Sequence, residues 1–180
     1  ECNWGLPVAV QTEIAEAARG FAFNRYPSMK AERLCRLIAA DFGVPEANVQ
    51  VGNGSSELLQ MACYAFGGSG RKIAFPSPSF SMYGVYTKLS DSKSLPYNLN
   101  EDGYIDSEEV IAFCNREKPN LLIICNPNNP TGNYNSLWQV EKILANVDCP
   151  VIMDEAYMEF AGGYEADFAG STMTLLAKYD

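Results

Sequence analysis

The 180-residue sequence predicts an α/β fold: a mostly parallel sheet with helices on both faces. Three observations carry that expectation. Short apolar segments of strand length alternate with amphipathic segments of helix length, the rhythm of a parallel sheet crossed over by helices. One segment, Leu-Leu-Ile-Ile-Cys at 121–125, is apolar at every position, as a strand covered on both faces must be. The densest runs of Gly, Pro, Asn and Ser fall where a predicted strand ends, the side on which such sheets gather their ligands.

Taken in order, residues 8–19 have helical periodicity and close at Gly20. A second helix is expected over 30–42, apolar at Leu34, Leu37 and Ile38, and ended by Gly43 and Pro45. Residues 49–51 read as a short strand breaking into Gly52-Asn53-Gly54, after which Ser55 would cap a helix carrying Leu58, Leu59 and Met61 and ending at Gly67-Gly68. A strand over 72–75 turns through Pro76-Ser77-Pro78 into a short helix over 79–89, and 94–97 forms another strand. Asp106 caps a helix running through Cys114; strand 121–125, a loop over 126–135, a helix over 136–145 and a strand over 151–153 follow. There are no repeats and no low-complexity linkers.

Composition removes several kinds of chemistry. With 13 basic and 22 acidic residues the formal charge is −9, and no basic cluster offers the positive footprint that nucleic acid requires. No apolar run approaches the roughly 18 residues of a membrane span, and no charged-then-apolar leader opens the chain, so a cytoplasmic location is expected. The first residue is Glu, from which the natural start is expected to lie further upstream. The six cysteines are far apart with no C-x-x-C pair; Cys63 and Cys125, inside apolar runs, read as small buried hydrophobes. Histidine is absent, which excludes Ser-His-Asp and Cys-His machinery and the commonest metal ligand. Catalysis by this chain would need a cofactor, or carboxylate, lysine or tyrosine.

Five segments stand out. Gly52-Asn53-Gly54-Ser55-Ser56-Glu57 joins a strand end to a helix start, where outward-pointing N–H groups and two hydroxyls suit a phosphate; a capped helix after a turn would look the same. Asn126-Pro127-Asn128-Asn129-Pro130-Thr131-Gly132 sets rigid side-chain amides directly after the buried strand, suited to a ligand oxygen or simply to a turn. Asp154, at the end of an apolar strand in Asp154-Glu155-Ala156-Tyr157, needs a positive partner: an Arg or Lys, a metal, or a protonated heterocycle. A metal is disfavoured without histidine, and Glu155 would face the other way and read as structural. Asn24-Arg25-Tyr26-Pro27 taken alone is an interhelical turn, and Phe80 taken alone is a core aromatic.

In this order the segments, with Pro-Ser-Phe-Ser-Met-Tyr at 78–83, resemble the fold-type I pyridoxal-phosphate (PLP) enzymes, and among these the histidinol-phosphate aminotransferases. The resemblance runs over essentially the whole chain. It implies pyridoxal 5'-phosphate as cofactor, with Asp154 on the pyridinium nitrogen, where an anion keeps the ring protonated and able to accept electrons. It places Asn129 and Tyr157 on the ring's phenolic oxygen, Phe80 against the ring face, and Ser55, Ser56 and Glu57 in the phosphate-cradling turn. Ser56 departs there from the acidic residue common in the family. Tyr26 would reach a neighbouring subunit's cofactor phosphate, implying a homodimer. The reaction implied is amino transfer between an amino acid such as glutamate and imidazole-acetol phosphate.

The family's Schiff-base lysine lies some tens of residues beyond the Asp-Glu-Ala-Tyr segment. Lys178 is the only late lysine, in a context that reads as a helix. The chain is therefore expected to be an N-terminal portion, inactive alone: an arm and first helix over 1–30, and the first part of the PLP-binding large domain over 31–180. A threonine-phosphate decarboxylase or another class I/II aminotransferase is the nearest alternative; Tyr157, where the decarboxylases are expected often to carry phenylalanine, favours the aminotransferase. A non-catalytic PLP-binding or dimerising relic is the alternative of another kind.

Overall fold

The computed structural model describes residues 3–162 and 168–179. Contacts divide the chain into two compact units, Glu1–Gln50 and Val51–Asp180, whereas the expected boundary between arm and large domain is at 30/31.

The first unit holds α1 (Val8–Arg19), α2 (Glu32–Phe42) and a 3₁₀ turn at Glu46–Asn48. α1 stops at Gly20 and buries none of its residues, whereas α2 buries Cys35 and Ala39. α2 begins two positions later than its apolar pattern predicts, because Ala31 adopts the left-handed region (φ +45°) and cannot belong to the helix. At its other end Gly43 takes φ +67°, the usual stop. The expected strand at 49–51 does not form. Val49 is extended (φ −110°, ψ 122°), but the strands of the sheet all lie beyond residue 71. Two β-branched residues supplied the propensity without the ladder that makes a strand.

The second unit runs α3 (Gly54–Phe66), β1 (Lys72–Ser77), α4 (Met82–Leu89), β2 (Lys93–Asn98), α5 (Ser107–Glu117), β3 (Leu121–Cys125), α6 (Leu137–Leu144), β4 (Val151–Asp154) and α7 (Met158–Ala161), then a 3₁₀ turn at Thr172–Lys178. The four strands are parallel, in the order β2-β1-β3-β4. From β1 the chain crosses outward to β2, then returns past β1 to β3 and β4. The order therefore reverses between β1 and β3, and a crevice is expected at the carboxyl ends there. Those two strands pair only at Ile73↔Leu121 and Ala74↔Leu122. Pro76, lacking an N–H, lies beyond that stretch and costs no bond to β3.

β3 explains why helices cover both faces. Leu122 and Ile124 join a core with Ala74, Val110 of α5 and Ile143 of α6. Leu121, Ile123 and Cys125 join another with Leu59 and Cys63 of α3 and Tyr83 and Tyr86 of α4. Every β3 residue is buried, each Leu or Ile contributing about 1.5–3 kcal/mol.

Local signals set the helix ends. The Asp106 carboxylate accepts from Glu108 N (2.9 Å) and Glu109 N (3.2 Å) at the start of α5, and Ser136 and Gln139 form a capping box on α6. Asp106→Ala is expected to lower stability by about 1 kcal/mol, read as a lower urea midpoint at unchanged slope. Among the described residues no helix is long and apolar enough to cross a membrane.

Candidate active site

The site grows from the ends of β1, β3 and β4. Along β4, Val151 and Met153 pack with the α5/α6 core and Ile152 with the α3/α4 core. Alternation then places Asp154 on the α3/α4 side, opposite Cys125 in register. Its carboxylate is buried (8% exposed) and held by two neutral donors: Tyr83 Oη donates to Oδ2 at 2.7 Å, and Ala156 N to Oδ1 at 3.2 Å. Among the described residues no Lys or Arg reaches it at ion-pair distance. A buried carboxylate so placed favours a cationic neighbour.

Tyr83 has no exposed surface, and burial pushes its phenol far above the ordinary value, with the Cys125 thiol and then Asp154 adding to the shift. It therefore remains a donor. Phe80 stands edge-on against it (5.5 Å, 85°), itself half-buried in the loop after β1.

The asparagine-rich loop after β3 divides its amides by role. Asn126 donates its backbone N–H to Asp154 O (2.9 Å), carrying the β3–β4 ladder one step further. Its side chain clasps the backbone of Asn135, donating to O (2.9 Å) and accepting from N (2.7 Å). Asn128 ties the loop to the end of β1: its Oδ1 accepts from Ser79 Oγ (2.6 Å) and its Nδ2 donates to Pro78 O (3.2 Å) and Thr131 Oγ1 (2.9 Å). Asn129 is half-buried.

At the glycine turn, Gly54 takes φ +70°, and a Cβ on Gly52 would meet Glu57 Oε2 at 3.0 Å. Glu57 reaches back to accept from Asn53 N (2.5 Å) and Nδ2 (3.1 Å), anchoring the turn. Ser55 does not cap α3, contrary to expectation. The helix already begins at Gly54, with Asn53 before it, so the Ser55 and Ser56 hydroxyls sit exposed in the first turn. Ser55 and Asp154 line one cavity of about 310 Å³, together with Leu58, Leu59, Ile152 and Ala156 among others.

Of the predicted residues, the fold thus brings Ser55 and Asp154 to a common cavity and joins Phe80 to Asp154 through Tyr83. Tyr157 follows β4 and lies half-buried, its ring tilted against Phe160 at 6.4 Å. Tyr26 is fully exposed in the first unit. Glu155, read as structural, accepts from Ser171 Oγ, from Thr172 N (2.8 Å) and from Thr172 Oγ1 (2.6 Å), pinning the last 3₁₀ turn. Lys178 pairs with Glu141 of α6 at 2.5 Å. Sequence reasoning missed Tyr83 and Asn128 as site-forming residues; both lie inside motifs it had singled out.

The family model described as "Aminotransferase class I and II" matches residues 3–180. A histidinol-phosphate aminotransferase of Clostridium novyi (strain NT) is 39% identical over 176 residues, 98% of this chain and 48% of that protein. One from Thermoanaerobacter sp. (strain X514) is 37% identical over 167 residues, 93% of this chain and 48% of that protein. The crystal structure of the histidinol-phosphate aminotransferase from Clostridium acetobutylicum superposes with a TM-score of 0.81 at 26% identity, covering 97% of this chain and 50% of that one. The chain spans about half the length of the curated relatives it matches.

Proposed function

Since the chain belongs to the class I and II aminotransferases, we propose that it forms part of an enzyme using pyridoxal 5'-phosphate to move an amino group between an amino acid such as glutamate and imidazole-acetol phosphate. The observation that carries this reading is Asp154: a buried carboxylate without a protein cation among the described residues, on the wall of a cavity that also touches the first turn of α3. That donor set fits a ligand with a protonated ring nitrogen at one end and a phosphate at the other.

When bound, the cofactor supplies an electron sink for the substrate's α-carbon. The chain's own residues bind and orient. Asp154 accepts the ring N–H and keeps the proton there. The Ser55 and Ser56 hydroxyls and the first amides of α3 take the phosphate, while Glu57 serves by holding Asn53 and the turn in shape. Phe80 offers an aromatic face, and Asn129 and Tyr157 donate to the phenolic oxygen. Tyr26 reaches the phosphate of a second copy. Its full exposure, beside the exposed Trp4 and Met29 in the same unit, supports a homodimer. A biosynthetic enzyme of this kind would work in the cytoplasm on small-molecule substrates.

The test is to purify the full-length protein carrying this chain with pyridoxal phosphate and follow consumption of histidinol phosphate. Consumption that depends on 2-oxoglutarate supports the reading. Release of CO₂ from phosphothreonine without amino transfer would replace it with the decarboxylase.

A further inference from the structure

From the buried contact between Tyr83 and Asp154 we infer that Tyr83 is a positioning residue, which turns the Asp154 carboxylate and biases the proton it shares with a bound ring nitrogen toward that nitrogen. The inference rests on the cofactor reading above and adds a residue that touches neither cofactor nor substrate.

Geometry carries it. Tyr83 is wholly buried, so it acts on the cavity only through its neighbours, and its hydroxyl ends 2.7 Å from Asp154 Oδ2. The ring is held between Phe80, edge-on at 5.5 Å, and Phe75 at 6.2 Å, which fixes where the hydroxyl oxygen sits, and the Asp154 carboxylate then orients its O–H. With Ala156 N on the other oxygen, each carboxylate oxygen has one fixed donor and the plane of the group is set. A donor on a carboxylate drains negative charge and lowers its basicity. In a shared N–H···O bond, a less basic acceptor leaves the proton on nitrogen. Because the phenol is held far above its ordinary ionisation range, it goes on donating throughout the working pH range.

The experiment compares the full-length protein and its Tyr83→Phe variant, each loaded with cofactor ¹⁵N-labelled at the ring nitrogen. The native protein should give the upfield signal of a protonated pyridine, and Tyr83→Phe should move it toward the unprotonated value. Turnover should fall about 10- to 100-fold, the worth of one hydrogen bond to a charged group. In an Asp154→Asn background the same substitution should cost almost nothing further, a dependence that mere core support would not show. An unchanged ¹⁵N signal, or an equal loss in both backgrounds, overturns the inference. Should Tyr83→Phe fail to fold, 3-fluorotyrosine placed at position 83, a stronger donor, must move the signal upfield or leave the inference refuted. If the native protein takes up no cofactor at all, the proposed function has failed instead.

Discussion

Asp154→Asn in the full-length protein is expected to lower kcat/KM for amino transfer about 10²–10³-fold, the scale of losing one preorganised charge at a developing charge. Asparagine keeps the shape and can still accept a hydrogen bond from Tyr83 or from Ala156 N through its single oxygen, so the fold should change little. What disappears is the anion. The ring nitrogen of the proposed cofactor would then lose its proton at neutral pH, and with it the capacity to accept electrons. Steady-state kinetics with glutamate as donor, beside a thermal melt that guards against misfolding, separates the two effects. A loss under about tenfold, worth less than 1.4 kcal/mol, would mean that the carboxylate does not face a reacting group.

Asn126→Ala should cost about 2–6 kcal/mol of stability, large for a single loop substitution. Asn126 is 1% exposed, and its amide satisfies both backbone groups of Asn135, itself 1% exposed. Alanine would leave a buried N–H and a buried C=O without partners, each at about 1–3 kcal/mol. Asn126→Asp should do no better, since a carboxylate cannot donate to Asn135 O and adds a charge beside Asp154. Urea titration checks both. A change below about 1 kcal/mol for alanine would show that water reaches the Asn135 backbone.

Much of this arrangement was legible in the sequence because it rests on local rules. The unbroken apolar run at 121–125 read as a doubly covered strand, and Asp106 announced its helix by cap chemistry. Position along β4 sufficed to single out Asp154. Its partner is another matter: Tyr83 lies 71 residues earlier, and nothing local distinguishes a tyrosine that packs from one that donates to a carboxylate across the sheet. By local chemistry alone the three loop asparagines are alike for the same reason, and only the family resemblance set Asn129 apart. Only the return of the chain at Asn135 and the approach of Ser79 show that Asn126 clasps the backbone of Asn135 while Asn128 ties the loop to Pro78, Ser79 and Thr131. The false strand at 49–51 is the converse case, since strand propensity is local and strand pairing is not.

β3, five residues long, belongs to both cores at once, sending Leu122 and Ile124 to one and Leu121, Ile123 and Cys125 to the other. Neither layer of helices can peel away without baring one side of this strand, so the second unit should behave as a single cooperative block rather than as two that open in turn. For evolution the consequence is asymmetric. The loops at the strand ends are open to sampling new ligands, while a substitution within β3 is judged by two sets of neighbours at once.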